Sequence, residues 1–247
     1  MLRGIMSGVM AMRGQVLNQE VIANNLANAD TAAFNKDKAV FSSFNDVLMY
    51  KCQPSQFSVP IGVYTGGTVV QDVQTIRDVG PMETTGNPLD IALPAGEYLC
   101  VETSAGIRYT RRGDLQVGVD GYLSVGGFRV LGKSGAIKVS SGRSCSIAED
   151  GTVMDGDTAV DVLRVVQVLN EDDLFKEGNS LFVTADSNVR GIDVPSLMCG
   201  TLEKSSVDPV SEMVDLIRAM RSYEAAQRAI KAHDEATDKA VNQVGRV

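Results

Sequence analysis

Apolar residues fall three and four apart near both ends of the chain and alternate in short runs between them, which predicts helix at the ends and strand in the middle. Over residues 2–28 the stripe reads Leu2, Ile5, Val9, Met12, Val16, Ala23 and Leu26, with Gln19 as its single polar position. Such a heptad stripe is one that two helices can share as a seam. Gly4, Gly8 and Gly14 interrupt it, and each weakens an isolated helix by roughly 1 kcal/mol relative to alanine. The helix is therefore expected to be marginal until it packs against a partner.

The other end repeats the spacing at Leu216, Ala219, Tyr223, Ala226, Ile230, His233, Thr237, Ala240 and Val244, predicting a long helix over 209–242. Asp208 is its expected N-cap, with Pro209 at the first helical position and Glu212 in the first turn. Between the ends glycine is frequent, and runs such as Tyr98–Thr103, Leu115–Val119 and Val162–Val168 read as strands. Asp120-Gly121 and Glu149-Asp150-Gly151 supply hairpin signals, the first as a two-residue type I′ turn. From about 35 to 60 neither pattern is sustained.

The expected fold class is α+β: N- and C-terminal helices pairing as a coiled-coil-like domain, with a central all-β domain. The expected boundaries are 1–34 for an N-terminal assembly helix and the motif that ends it, 35–64 for a connecting arm, 65–203 for the β domain and 204–247 for a C-terminal assembly helix.

Composition narrows the function classes. With 247 residues, 44% of them hydrophobic and 22% charged, the chain can bury a core without metal or disulfide staples. A formal net charge of -8 argues against nucleic acid, because phosphate binding needs clustered lysine and arginine. No apolar run is long enough to insert in a membrane. Arg3 and Arg13, interspersed with glycine and serine, leave no core for a cleaved signal peptide, so Sec export is not expected. Cys52, Cys100, Cys145 and Cys199 are far apart, with only His233 to join them; free thiols are expected, and no metal or cofactor.

The sharpest enzymatic lead is Gly127-Phe-Arg-Val-Leu-Gly132-Lys133-Ser134, which satisfies the phosphate-binding pattern GxxxxGK followed by Ser or Thr. A working P-loop needs a helix beginning at the Lys-Ser pair, so that backbone N–H groups face the phosphates. Here Phe128–Leu131 is strand-like, and so is the segment after Gly135. Asp155-Gly-Asp157 with Asp161 lacks the glycine and glutamate of a calcium loop. Nucleophilic catalysis lacks its base, since His233 is the single histidine.

Asn24-Asn25-Leu26-Ala27-Asn28, then two residues, Thr31, two residues and Phe34, resembles the signature of flagellar rod and hook proteins. Its asparagines suit a helix terminus fixed by side-chain amides. Met1, Arg3, Met12 and Ile22 also fall where that family commonly has them. Gly86–Leu93, Tyr109–Gly113, Ser206–Asp208, Glu212-Met213 and Arg221–Ala225 carry the resemblance across nearly the whole chain. Ala33 stands where the family usually has glycine, and Asn35 where lysine or arginine is usual. Length and the tail from Asp234 resemble the proximal rod type more than the distal one.

The resemblance implies a structural subunit of the basal-body rod, the shaft that transmits torque to the hook, and no enzymatic activity. It implies assembly with other copies and other rod proteins, export through the flagellar type III apparatus, and a place in the periplasmic part of the basal body. The implied assembly residues are Ile5, Val9, Met12, Val16, Ile22, Asn24, Asn25, Leu26, Asn28 and Phe34 at one end, with Leu216, Tyr223 and Ile230 at the other. The alternative is a nucleotide-binding protein that uses Gly127–Ser134.

Overall fold

The computed structural model describes residues 2–43, 46–53, 56–65, 67–139 and 145–244. Met1 and the side chains of Leu2, Arg3, Cys52 and Val244, which enter the expectations above, lie outside what is described. The chain forms two compact units, one of Met1–Ala27, Asp37–Ile76 and Asp208–Val247, the other of Asn28–Lys36 and Arg77–Val207.

The first unit holds both long helices, α1 (Leu2–Ala27) and α2 (Pro209–Lys239), the latter running on into one π-helical turn at Ala240–Val244. Asp208 caps α2 by accepting the Val210 N–H at 3.2 Å, as its sequence predicts. The two helices pack against each other. A Cβ added at Gly4 would lie 2.9 Å from Nε2 of His233, and one added at Gly8 would lie 2.7 Å from Cγ1 of Ile230. The glycines that weaken an isolated helix are thus places where α2 comes close to the α1 backbone.

Four strands complete this unit: β1 (Asp37–Ser43), β2 (Asp46–Gln53), β3 (Gln56–Thr65) and β4 (Thr68–Thr75). β1 pairs antiparallel with β4, and β2 with β3. Gly14 of α1 is buried, its missing side chain replaced by Phe41 of β1 and Val70 of β4. Strand thus extends through a segment whose sequence sustains no pattern. Register shifts at Val40/Phe41, Met49/Tyr50 and Lys51/Gln53 break the two-residue alternation by which a strand is read.

The second unit is built from β5 (Met82–Thr84), β6 (Ile91–Ala92), β7 (Glu97–Thr103), β8 (Gly106–Thr110), β9 (Leu115–Val117), β10 (Leu123–Val125), β11 (Phe128–Val130) and β12 (Cys145–Ile147). There follow β13 (Thr152–Asp155), β14 (Thr158–Val162), β15 (Val165–Val168), β16 (Phe175–Gly178), β17 (Leu181–Val183), β18 (Val189–Ile192), β19 (Met198–Cys199) and β20 (Thr201–Glu203). The main sheet runs β16-β17-β8-β7-β11-β10-β9, with β15 joining β7 to β18. Alternate residues of β7 face opposite ways: Leu99 and Val101 enter the larger core with Leu123, Val130 and Leu163, while Tyr98 and Cys100 enter a smaller one with Tyr109 and Phe182. Burial on both faces explains the unbroken apolar run Tyr98–Val101.

The hairpin signals are realised differently from their expected form. In the β9–β10 turn Gly121 donates to the Gly118 carbonyl at 2.9 Å and has φ +78°, while Asp120 is not left-handed. A type I′ turn needs both central residues left-handed. That geometry occurs one hairpin later, at Gly126 (φ +57°) and Gly127 (φ +87°), between Val125 and Phe128.

Replacing Gly8 with leucine separates intrinsic helicity from packing. A peptide of residues 2–27 carrying Gly8→Leu should be more helical by circular dichroism, since leucine favours helix by roughly 1 kcal/mol over glycine. The full chain carrying it should nonetheless melt below the parent, because Ile230 occupies the space the new side chain needs. A melting point at or above the parent would show that this close approach does not hold the helices together.

Candidate functional site

Candidate function lies in two places, the outer faces of the helices and the segment that follows α1. Of the expected assembly positions on α1, Val9 and Val16 are exposed, at 46% and 41%, while Ile5, Met12 and Leu26 are half-buried and Ile22 is buried. On α2, Leu216, Tyr223 and Ile230 are half-buried, on the same stripe as buried Ala219. A second apolar stripe of α2, at Val210, Met213, Val214, Ile217 and Met220, is exposed, as are Met6 and Leu17 of α1. Each helix therefore presents apolar side chains outward as well as to its own unit. A shallow pocket between α1 and β4 interrupts the α1 face, lined by Met10, Arg13, Gly14, Leu17, Val69 and Val70.

The motif after α1 acts through its side-chain amides. The buried Asn25 carboxamide accepts from the Asp37 N–H at 2.9 Å and donates to the Asp37 carbonyl at 2.8 Å. It thereby pairs with β1 as a strand residue would. It also donates to the carboxylate of Glu212, in the first turn of α2, at 3.3 Å. Asn24, the residue before it, is exposed. Asn28 receives the Thr31 N–H on its carbonyl at 3.2 Å and the Thr31 hydroxyl on Oδ1 at 3.3 Å, turning the chain back.

The loop Asn28–Lys36 is then anchored inside the second unit. Phe34 is buried, with Nζ of Lys176 4.0 Å from its ring centroid and donating to the Asn35 carbonyl at 2.7 Å. The Ser206 N–H donates to the Phe34 carbonyl at 2.9 Å, and the Ala33 N–H donates to the Glu203 carbonyl at 2.8 Å. Glu203 is itself held by Arg111. Both side chains are almost wholly buried, at 2% and 4% exposure. The guanidinium spends all five N–H groups: Nε and Nη2 on one oxygen of Glu203, the remainder on the carbonyls of Leu93, Pro94 and Glu97. The other Glu203 oxygen accepts the Gly80 N–H at 3.0 Å. Sequence reading takes Tyr109–Gly113 only as part of a resemblance; the role of Arg111 is invisible there, because its partner lies 92 positions away.

The phosphate-loop pattern is a strand and a turn, which overturns the nucleotide-binding alternative. Gly127 closes a hairpin, Phe128–Val130 is β11, and Leu131 bridges to Ala136. Among the described residues 134–139, which follow Lys133, there is no helix. The Ser134 N–H and hydroxyl both donate to the carboxylate of Asp161, and Lys133 donates to the Asp193 carbonyl, so an anionic side chain already holds the donors that a phosphate would need. Burial pushes the Cys100 thiol up to about 11 and raises those of Cys145 and Cys199, which disfavours the reactive thiolate. Among the described residues no group of three or more His, Cys, Asp or Glu is placed to hold a metal ion, and no helix is long and apolar enough to cross a membrane.

Two family models match the ends of the chain: one described as flagella basal body rod protein, over residues 5–34, and one as flagellar basal body rod FlgEFG protein C-terminal, over residues 199–243. The chain is 30% identical to the flagellar hook-basal body complex protein FlhO of Bacillus subtilis, with 100% of both chains covered. The flagellar basal-body rod protein FlgF of Salmonella typhimurium is 33% identical over 92% of each chain. FlgG of Caulobacter vibrioides is 31% identical over 95% of this chain and 96% of its own. The chain belongs to the flagellar basal-body rod protein family. This is a family of structural proteins, and the chain is not an enzyme.

Membership gives Ala33 a physical meaning. The residue that stands where these rod proteins usually carry glycine has φ +50° and is buried, a conformation that costs an alanine roughly 1–2 kcal/mol. Ala33→Gly should raise stability by about 1 kcal/mol, or roughly 2–4 °C in melting temperature at this chain length. Ala33→Val should lower it, since a β-branched residue is least tolerant of positive φ. A thermal melt of the two variants checks both signs.

Arg111→Met leaves the Glu203 carboxylate buried and unpaired, and should cost about 3–5 kcal/mol by denaturant unfolding. Adding Glu203→Leu should restore only part of this. The carbonyls of Leu93, Pro94 and Glu97 and the Gly80 N–H would still lack partners.

Proposed function

We propose that the chain is a structural subunit of the flagellar rod that assembles through its two terminal helices into the axial shaft carrying torque to the hook. The observation that carries this is the double-sided character of the helices. α1 and α2 pack on each other through Gly4, Gly8, His233 and Ile230, yet keep Val9, Val16, Val214 and Ile217 exposed. Apolar side chains at helical spacing on two neighbouring outer faces suit burial against further helices. In the assembled rod the pair acts as a coiled-coil-like element, and its outer stripes close against other copies and other rod proteins. Ile5, Met12, Ile22, Leu26, Leu216, Tyr223 and Ile230 set the pair. Asn24, Asn25, Asn28 and Phe34 fix the end of α1 from which it is presented.

The same reading takes the chain through the flagellar type III export apparatus, without a cleaved signal, to the periplasmic portion of the basal body. Neither nucleic acid nor membrane insertion enters this function.

Val9→Asp and Ile217→Asp test it without disturbing the monomer, because both positions face outward. Isolated chains carrying either change should melt within about 0.5 kcal/mol of the parent, as exposed substitutions do. Cells should produce these chains, lack completed rods by electron microscopy of basal bodies, and fail to swim. Lys239→Asp, also on an exposed face, should be far milder. Normal rods and parental swimming with Val9→Asp and Ile217→Asp would refute assembly through these faces.

A further inference from the structure

The main sheet of the second unit ends in two dissimilar features that match each other in shape and charge. At the β9 edge, Val119 projects from the β9–β10 turn fully exposed. An exposed valine there has no folding role, since the turn is closed by backbone bonds and by Asp120, whose Oδ1 accepts the Tyr122 N–H. Two cations flank the tip: Arg129 lies 4.3 Å and Lys138 5.7 Å from the Tyr122 ring centroid. Asp120, bound to Arg129 at 3.0 Å, is the carboxylate set against them.

At the opposite edge, β16 and β17 border a concavity of about 500 Å³ whose floor and walls include Phe175, Val183, Ala185 and Ser187. Phe175 is 66% exposed, and so is Leu169, at 63%, whose N–H bonds to the carbonyl of the lining residue Asn188. The rim is acidic. Asp173 lines the concavity, Glu171 and Asp172 precede it in the same turn, and Asp186 lies between Ala185 and Ser187. Of the cations near it, Lys176 is engaged with Phe34 and Asn35 and Arg77 with the Leu174 carbonyl. Arg190, two residues past the lining Asn188, is exposed and leaves the rim net acidic against Glu171, Asp172, Asp173 and Asp186.

We propose that this concavity is the seat for the β9–β10 tip of a second copy of the chain, with Val119 entering beside Phe175 while Arg129 and Lys138 face the acidic rim. An apolar knob whose collar carries Arg129 and Lys138 against the single carboxylate of Asp120 meets an apolar hole with an acidic collar, so complementarity of charge favours this partner and orientation. Knob and hole lie at opposite ends of one strand order. The contact is therefore head-to-tail: a bound pair leaves one knob and one hole free, so further copies add, closing into a ring if the rotation closes and extending as an open array if it does not. The inference rests on the reading of the chain as an assembling subunit and adds a lateral contact outside the helices.

The test uses the full chain carrying Val119→p-benzoylphenylalanine, irradiated in a mixture with a heavy-isotope-labelled copy and mapped by mass spectrometry, with sedimentation followed in parallel. Inter-chain links should map to residues 169–188. Filling the hole with Ser187→Trp should cut that product about tenfold, the scale of losing one well-packed interface contact, with no change in melting temperature. Links elsewhere or none, in a chain that sediments, overturn the contact while leaving helix-mediated assembly intact. Links to 169–188 in a chain that does not sediment uphold the contact and count against the helices. Absence of both overturns both.

Discussion

The buried pairing of Arg111 with Glu203 is the constraint around which the second unit is arranged. A guanidinium taken out of water must place all five N–H groups, and here they fix the carbonyls of Leu93, Pro94 and Glu97 in one geometry. The carboxylate it holds reaches the Gly80 N–H, and the backbone of the same residue receives Ala33. Three segments far apart in sequence are thereby brought to one point. Gly80 is needed there because a Cβ would lie 2.0 Å from the Lys204 carbonyl. Buried ion pairs add little net stability, but they penalise every register that leaves a charge unpaired. That penalty suits a place where loops, which have no hydrophobic stripe of their own, must meet in one arrangement.

Within the first unit the ordering principle differs. α1 gives its glycines, its buried Ile22 and the Asn25 amide to its own unit and turns several of its larger apolar side chains away. Small residues let backbones approach closely but bury little apolar area, so the contact they make is specific in geometry and modest in energy. The apolar area left outside is what further helices could cover. A helix that spent its valines on its own partner would have less to offer a neighbour, and under the proposed assembly this division of faces lets one helix serve both the folded subunit and its contacts.

The candidate site was legible in part. Asn25 and Asn28 belong to a motif visible in the sequence, where asparagine is able to bond nearby groups; the Asn25 amide holds Asp37, and Oδ1 of Asn28 accepts the Thr31 hydroxyl. The departure at position 33 was also visible, though only the backbone angle shows why glycine is usual there. Lys176 was not legible: nothing in its local sequence marks it as the cation over Phe34, 142 residues earlier in the chain.

By itself the sequence determined what short-range chemistry decides. It set helix at both ends from the three-and-four spacing, the start of α2 from Asp208 and Pro209, the strands around Tyr98 and Val165, and the failure of the phosphate-loop pattern from its strand-like interior. Tertiary structure decided what depends on neighbours distant along the chain. It chose which face of α1 meets α2, since the apolar stripe and the glycine stripe lie side by side and only close approach to His233 and Ile230 selects between them. It paired Asp37–Ser43 with Thr68–Thr75 and Asp46–Gln53 with Gln56–Thr65, where bulges erase the alternation. And it joined Arg111 to Glu203, because a buried charge finds its counter-ion through space, and sequence separation carries no trace of that distance.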